Sequence, residues 1–165
     1  MIFCSCYQSC CGKMLIAATE QAVCGIWFEN QKHYAYKANK NMQKNDNLPI
    51  FIKTKKWLDD YFAGKNPDAK EIPVVLHGSD FQQKVWSILQ TIEYGKTMTY
   101  GQISKLIERQ SGKKMSAQAV GGAVGHNPVS IIVPCHRVLG ANKNLTGYAA
   151  GLDVKTKLLK IEGIL

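Results

Sequence analysis

The chain has 165 residues, 45% of them hydrophobic and 9% aromatic, enough for one compact domain or two small ones sharing a core. This composition excludes disorder, collagen and coiled coil, and the longest apolar runs, Met14 to Ala18 and Val129 to Cys135, fall far short of the ~20 residues a membrane helix needs. Lys and Arg number 21 against 12 Asp and Glu, a net charge of +9 that favours polyanions, nucleic acid first, unless it is merely a soluble basic surface. The excess leans C-terminal: residues 1–76 carry 10 basic and 7 acidic groups, residues 77–165 carry 11 and 5.

In chain order, Lys13 to Thr19 and Ala22 to Phe28 are β-rich runs joined at Glu20-Gln21, and Lys32 to Lys37 alternates as a third strand would, so a small antiparallel sheet is expected. Ala38 to Asn47 is polar and reads as a loop. Pro49 suits a first helical turn, and Ile52, Trp57, Leu58, Tyr61 and Phe62 supply an apolar face that ends at Gly64. Pro73 to His77 reads as one more strand. From Ser79 the texture becomes helical: Ser79 caps a segment carrying Phe81, Val85, Ile88, Leu89 and Ile92 and closed by Gly95. Thr99 and Gln102 form a capping box for a short helix with Ile103, Leu106 and Ile107, and Ser116 caps a second, Ala117 to Val124, stopped by Gly125. Two such helices in tandem on a basic half suggest helix-turn-helix. Gly121-Gly122 weakens the second by roughly 1 kcal/mol per glycine, so small residues are wanted there, either for close packing or to lie against a nucleic-acid backbone in a narrow groove. Val129 to Val133 reads as a strand, and a last helix capped by Asp153 carries Val154, Leu158 and Ile161 and ends at Glu162-Gly163.

The N-terminus lacks the charged start, apolar stretch and cleavage site of a secretory signal, so a cytoplasmic protein with reduced thiols is expected. Five of the six cysteines, Cys4, Cys6, Cys10, Cys11 and Cys24, crowd the first 24 residues. Neither Cys4-x-Cys6 nor Cys10-Cys11 has the spacing of a closed four-ligand site, and His33 and His77 have no assigned geometry, so strand packing is preferred to a zinc site and Cys24 is placed in the core. Cys135 stands apart in Pro134-Cys-His-Arg-Val138. A thiol beside an imidazole and a guanidinium has the company that favours thiolate, the form that acts as nucleophile. Neighbouring residues on a strand point opposite ways, so His136 reaches the sulfur only after a turn or through a bridging water. A buried inert cysteine followed by a satisfied histidine is the alternative.

Asn127-Pro-Val-Ser-Ile-Ile-Val-Pro-Cys-His-Arg-Val138, then Thr146-Gly-Tyr-Ala149 and Lys155 to Gly163, resemble the O6-alkylguanine-DNA alkyltransferases, also called methylated-DNA-protein-cysteine methyltransferases. The likeness extends back through Phe81 to Trp86 and Thr99 to Gln102 to cover essentially all of 79–163, and more loosely the N-terminal sheet through Gly12-Lys13 and Cys24 to Trp27. It implies an α+β protein: a small N-terminal antiparallel sheet with a helix, ribonuclease H-like, over 1–77, and a C-terminal helical winged helix-turn-helix domain over 78–165. It also implies a monomer that acts on double-stranded DNA containing O6-alkylguanine, with O4-alkylthymine left open, and that uses no cofactor; some members bind a structural zinc with their N-terminal domain, but the cysteine spacing here leads to the expectation of no metal site. The Cys135 thiolate would take the alkyl group irreversibly, once per protein. His136 would act through a water as its base and Glu162 would orient His136, the logic of nucleophile, base and orienter. Asn127 would tie the turn between recognition helix and active-site strand. Tyr100 would aid rotation of the nucleotide and donate toward the departing base, with backbone amides near Val138 and Ala149 facing O6. Ala117, Gln118, Ala119 and Gly121 would form the minor-groove surface, and Tyr148 with the Gly147 hinge would wall the alkyl pocket.

The chain departs from the family at Gln118, where many members have an arginine that fills the vacated base stack, and at Ala149, where others have serine. Lys155 matches a family lysine, although a lysine in the first turns of a helix is by default solvated. Arg137 is expected to be paired and structural. Two rivals come from other classes. A binding-only alkyltransferase-like protein would lack the cysteine, and a helix-turn-helix transcription factor would need major-groove readers that the Gly-rich helix does not offer. A thiol hydrolase would use the same Cys-His pair repeatedly.

Overall fold

The computed structural model describes residues 1–35 and 41–165, which form two compact units, Met1–His77 with Pro128–Ile132, and Gly78–Asn127 with Val133–Leu165. Among the described residues no helix is long and apolar enough to cross a membrane.

The first unit is built on a four-stranded sheet in the order β3-β2-β1-β4, with β1 Ile2–Ser9, β2 Gly12–Ala18, β3 Val23–Phe28 and β4 Met42–Lys44. β1, β2 and β3 are antiparallel neighbours, but β4 joins the edge of β1 in parallel, so the sheet is mixed and not purely antiparallel. β4 lies where the sequence reads as loop. Its three residues are half-buried or exposed and carry no apolar alternation to announce it. Lys32–Ala35 is turn and not strand; Tyr36, Lys37 and the start of the expected loop lie outside the described residues. Pro73–His77 contributes a single parallel bridge, Val74 to Val23, in place of a strand.

Helix α1 runs Pro49–Phe62 with proline in its first turn. Its buried stripe is Ile50, Phe51, Thr54, Trp57, Leu58 and Tyr61, which keeps the 3.6-residue period. Ile52, expected on that face, lies about 100° around the helix from Phe51 and is 60% exposed. Cys24 is half-buried beside a small cluster of Ala17, Trp27 and Ala35, at the margin of the core and not within it. Next to it, a Cβ on Gly25 would fall 1.8 Å from the Trp27 ring, and that ring is only 2% exposed. Gly25→Ala is therefore expected to cost about 1–3 kcal/mol through forced repacking, read as a lower urea midpoint at unchanged slope.

The second unit begins with α2, Asp80–Leu89, under a complete capping box of Ser79 and Gln82. It buries Val85, Trp86, Ile88 and Leu89 and stops well before Gly95, whose φ of 75° serves a later turn. β5, Met98–Thr99, leads into α3, Tyr100–Ser111, capped by Thr99 with Gln102 and closed by Gly112 in the left-handed region. α4, Ala117–Gly125, is capped by the Ser116 hydroxyl, which accepts from the Ala119 N–H. α2, α3 and α4 pack together, and the Trp86 indole N–H donates to the Ala123 carbonyl at 2.9 Å.

Val129 to Val133 is not a strand. Val129 makes one bridge to Ile26, Ile131 turns through φ 73°, and the Ile132 N–H closes on the Ser130 carbonyl. All five residues are buried, so the β-branched side chains of Val129, Ile131, Ile132 and Val133 reflect burial and not an extended path. Beyond Pro134, residues Cys135–Arg137 form one 3-10 turn, and β6, Val138–Leu139, pairs in parallel with β5. α5, Leu152–Ile161, follows Gly151 at φ 95°; Asp153 sits inside its first turn and is not its cap, a place where a carboxylate suits the helix dipole.

Candidate active site

Cys135 opens the single helical turn and is 7% exposed. Its thiol is held by three side chains from separate elements. The Asn127 amide, just past α4, donates to the Val133 carbonyl at 2.8 Å and also hydrogen-bonds the thiol. Tyr148 contributes a second hydrogen bond and Lys155 a positive charge. Burial pushes the thiol pKa up, and these three groups oppose it. The cation acting on the sulfur is thus Lys155 and not, as adjacency suggested, Arg137.

The turn sends His136 away from its neighbour's path and into a carboxylate 26 residues on: its Nε2–H donates to Glu162 Oε1 at 2.6 Å, with both side chains fully buried. Arg137 grips the same carboxylate with both prongs, Nε to Oε2 at 2.8 Å and Nη2 to Oε1 at 3.0 Å, while Nη1 donates to the Ile92 carbonyl and the guanidinium lies over the Tyr94 ring. The Gly95 N–H adds a fourth donor at 3.1 Å. Burial alone would raise the Glu162 pKa, but hydrogen bonds and charge from His136 and Arg137 overcome this and hold it at about 2. For His136 burial wins and pushes its pKa down, so the ring is neutral at pH 7. An ionised carboxylate only accepts, which puts the imidazole proton on Nε2 and the lone pair on Nδ1.

Lys155, which matches a family lysine but as a helix-start lysine would by default be solvated, is fully buried on α5. Its ammonium donates to the carbonyls of Val138, Thr146 and Gly147 at 2.5, 3.1 and 3.2 Å, which joins β6 to the following loop. Burial pushes its pKa down to about 8, and Cys135 opposes that shift. The Tyr100 hydroxyl, from the first residue of α3, donates to the same Thr146 carbonyl at 3.3 Å. Burial and the nearby Cys135 raise the Tyr100 pKa, so its phenol stays protonated and able to donate.

A cavity of about 570 Å³ opens between Tyr100, Ala117, Gln118, Gly121, Thr146 and Gly147. Ala117, Gln118 and Ala119 are exposed, although Ala119 is outside the cavity lining. A Cβ on Gly121 would approach nothing closer than 3.8 Å, and one on Gly122 would meet nothing within 4 Å. Close protein packing therefore does not account for the glycine pair. Val138 is buried with its carbonyl on Lys155; Tyr148 and Ala149 are half-buried in the loop before α5. Sequence reasoning missed the Lys155 cluster, Gly95 and Tyr94. A Lys155 matching a family position was the one available signal.

The second unit joins two short tandem helices, the pattern expected of a nucleic-acid-binding domain, to a candidate cysteine nucleophile followed by a neutral imidazole with a carboxylate behind it. Residues 80–164 match the 6-O-methylguanine DNA methyltransferase DNA-binding domain, and residues 2–76 match the ribonuclease-like domain of the same proteins. The methylated-DNA–protein-cysteine methyltransferase of Haemophilus influenzae is 39% identical over 158 residues, 96% of this chain and 84% of the relative. That of Methanosarcina acetivorans is 42% identical over 95% and 96%. Mycobacterium tuberculosis OGT in complex with DNA superposes with a TM-score of 0.80 at 37% identity, covering 95% of this chain and 90% of that one. The chain belongs to the methylated-DNA–protein-cysteine methyltransferase family.

Proposed function

We propose that the protein repairs alkylated DNA by direct reversal, moving the alkyl group from O6 of guanine in double-stranded DNA onto Cys135. The observation that carries this reading is the buried Cys135 thiol, held by Asn127, Tyr148 and Lys155 beside a neutral His136 backed by Glu162. The thiol proton passes through a water to His136 Nδ1. The thiolate attacks the alkyl carbon, the carbon–O6 bond breaks, and an S-alkyl thioether forms. Negative charge left on guanine is met by the Tyr100 phenol and the backbone amides near Val138 and Ala149. A thioether has no return path, so each monomer reacts once and needs no cofactor.

The lesion must leave the duplex before the sulfur can reach it, at a cost of a few kcal/mol that is smaller for a poorly paired base. The open surface of Ala117, Ala119 and Gly121 suits a backbone in the minor groove, because no side chain stands in the way. Gln118 borders the cavity that would receive the base and can hydrogen-bond an orphaned partner base. It brings no charge, so DNA is held more weakly than by an arginine at that place.

The test is intact-mass measurement with peptide mapping after incubation with a duplex carrying one O6-methylguanine. The expected result is one methyl per protein on the Cys135 peptide, absent with undamaged duplex and absent in Cys135→Ser. A protein that binds the lesion and stays unmodified would be a binding-only relative, and a second turnover would make it a hydrolase.

A further inference from the structure

The hairpin between β1 and β2 turns through Cys10 and Cys11, which the alkyl transfer does not use. Ser9 stands opposite Gly12 in register. The Ser9 hydroxyl donates to the Gly12 carbonyl at 2.7 Å and accepts from the Cys11 N–H at 3.1 Å, and Gly12 completes the turn at φ 117°. These bonds hold the two turn residues side by side at the tip, Cys10 exposed and Cys11 half-buried, with their sulfurs 4.0 Å apart.

Adjacent thiols can close a disulfide or share a soft centre. A relaxed disulfide spans Cα atoms ~4.4–6.8 Å apart, whereas successive Cα atoms lie only ~3.8 Å apart, so closing this pair strains it and makes it easily reduced. Sharing a centre is geometrically easier: two sulfurs with bonds of ~2.3 Å to a pyramidal soft centre and an angle of roughly 95° lie ~3.4 Å from one another, a short closure from the 4.0 Å already present. Among the described residues no group of three or more His, Cys, Asp or Glu side chains is placed to hold a metal ion, so a centre demanding four protein ligands does not fit.

We propose that Cys10 and Cys11 form a dithiol clasp for a monosubstituted trivalent arsenical, a soft centre with two exchangeable oxygen positions and a need for two sulfurs. On binding, both S–H bonds and both arsenic–oxygen bonds of the hydrated arsenical break, two As–S bonds form, and each hydroxide leaves with one thiol proton as water, two waters in all. Arsenic stays trivalent, so no oxidant or reductant is consumed.

The experiment treats the full-length protein with phenylarsine oxide in excess glutathione, which strips adducts held by a single thiol, and follows intact mass. One phenylarsenic group per protein is expected, stable to glutathione and removed by dithiothreitol. Cys10→Ser and Cys11→Ser should each abolish it, and the Cys4→Ser/Cys6→Ser double variant and Cys135→Ser should both retain it. Absence of a glutathione-resistant adduct, or its loss in the Cys4→Ser/Cys6→Ser protein, overturns the proposal.

Discussion

Glu162→Gln is expected to lose roughly 3–5 kcal/mol of stability and to slow alkyl transfer roughly 10²–10⁴-fold, the cost of breaking a buried ion pair and of disabling a general base. Both effects follow from the four donors that meet on this carboxylate. A neutral amide leaves the Arg137 guanidinium, with only 11% of its side chain exposed, without a counter-charge. It also offers an N–H where His136 Nε2–H needs an acceptor, so the imidazole is free to change tautomer and turn Nδ1 into a donor, useless as a base. The acid limb of stability supplies an independent readout. The folded pKa of Glu162, about 2, lies below the unfolded value near ~4.5, so its contribution is complete above the unfolded value and is lost as pH falls toward 2. His136, buried neutral with a lowered pKa, acts in the same direction from about 6.5 downward, because the unfolded chain binds the proton first. Wild type should therefore lose stability steadily on acidification in urea titrations, and the variant should start lower and show a shallower acid slope. An unchanged acid slope would show that the carboxylate is not the buffered group.

The helical half of this architecture is legible because its punctuation is local. The Ser79 cap and the Thr99–Gln102 capping box are encoded within four residues and are present as expected, and Gln82 completes a further box at Ser79. Val129 to Val133 failed as a strand because β-branched residues report burial as readily as extension, and nothing nearby encodes the left-handed turn at Ile131. β4 was invisible because three residues paired with β1 carry no periodicity. In the site, Pro134 to Val138 announced chemistry, and Arg137 is paired and structural as expected, but its partner Glu162 lies 25 residues away, where no local pattern names it. The electrostatics of the thiol come from α5 and the loop before it, and no local pattern distinguishes a buried lysine from a solvated one.

Lys155 shows how much that costs a sequence reading, and its removal carries the second large effect. Lys155→Met keeps much of the side-chain volume and deletes the charge and all three hydrogen bonds to Val138, Thr146 and Gly147. The thiol then loses the cation that opposes burial, so its pKa rises further and less thiolate is present at neutral pH. At the same time the loop carrying Thr146 loses its tie to β6, and with it the anchor for the Tyr100 hydroxyl. Transfer from an O6-methylguanine duplex at pH 7 should slow roughly 10-fold or more, because less of the thiol is thiolate and the phenol that meets the departing base loses its anchor. The pH midpoint of Cys135 alkylation should move upward, which a purely structural lesion would leave in place. Stability responds with the same sign as for Glu162 but in a separate, alkaline window: Lys155 is held at about 8 against an unfolded value near ~10.4, so between these limits the unfolded chain binds more protons and wild type gains stability as pH rises. Lys155→Met should flatten that alkaline rise in denaturant titrations. Slower transfer with an unmoved pH midpoint would reduce Lys155 to a loop anchor, whereas a shifted midpoint makes it the charge that readies the nucleophile.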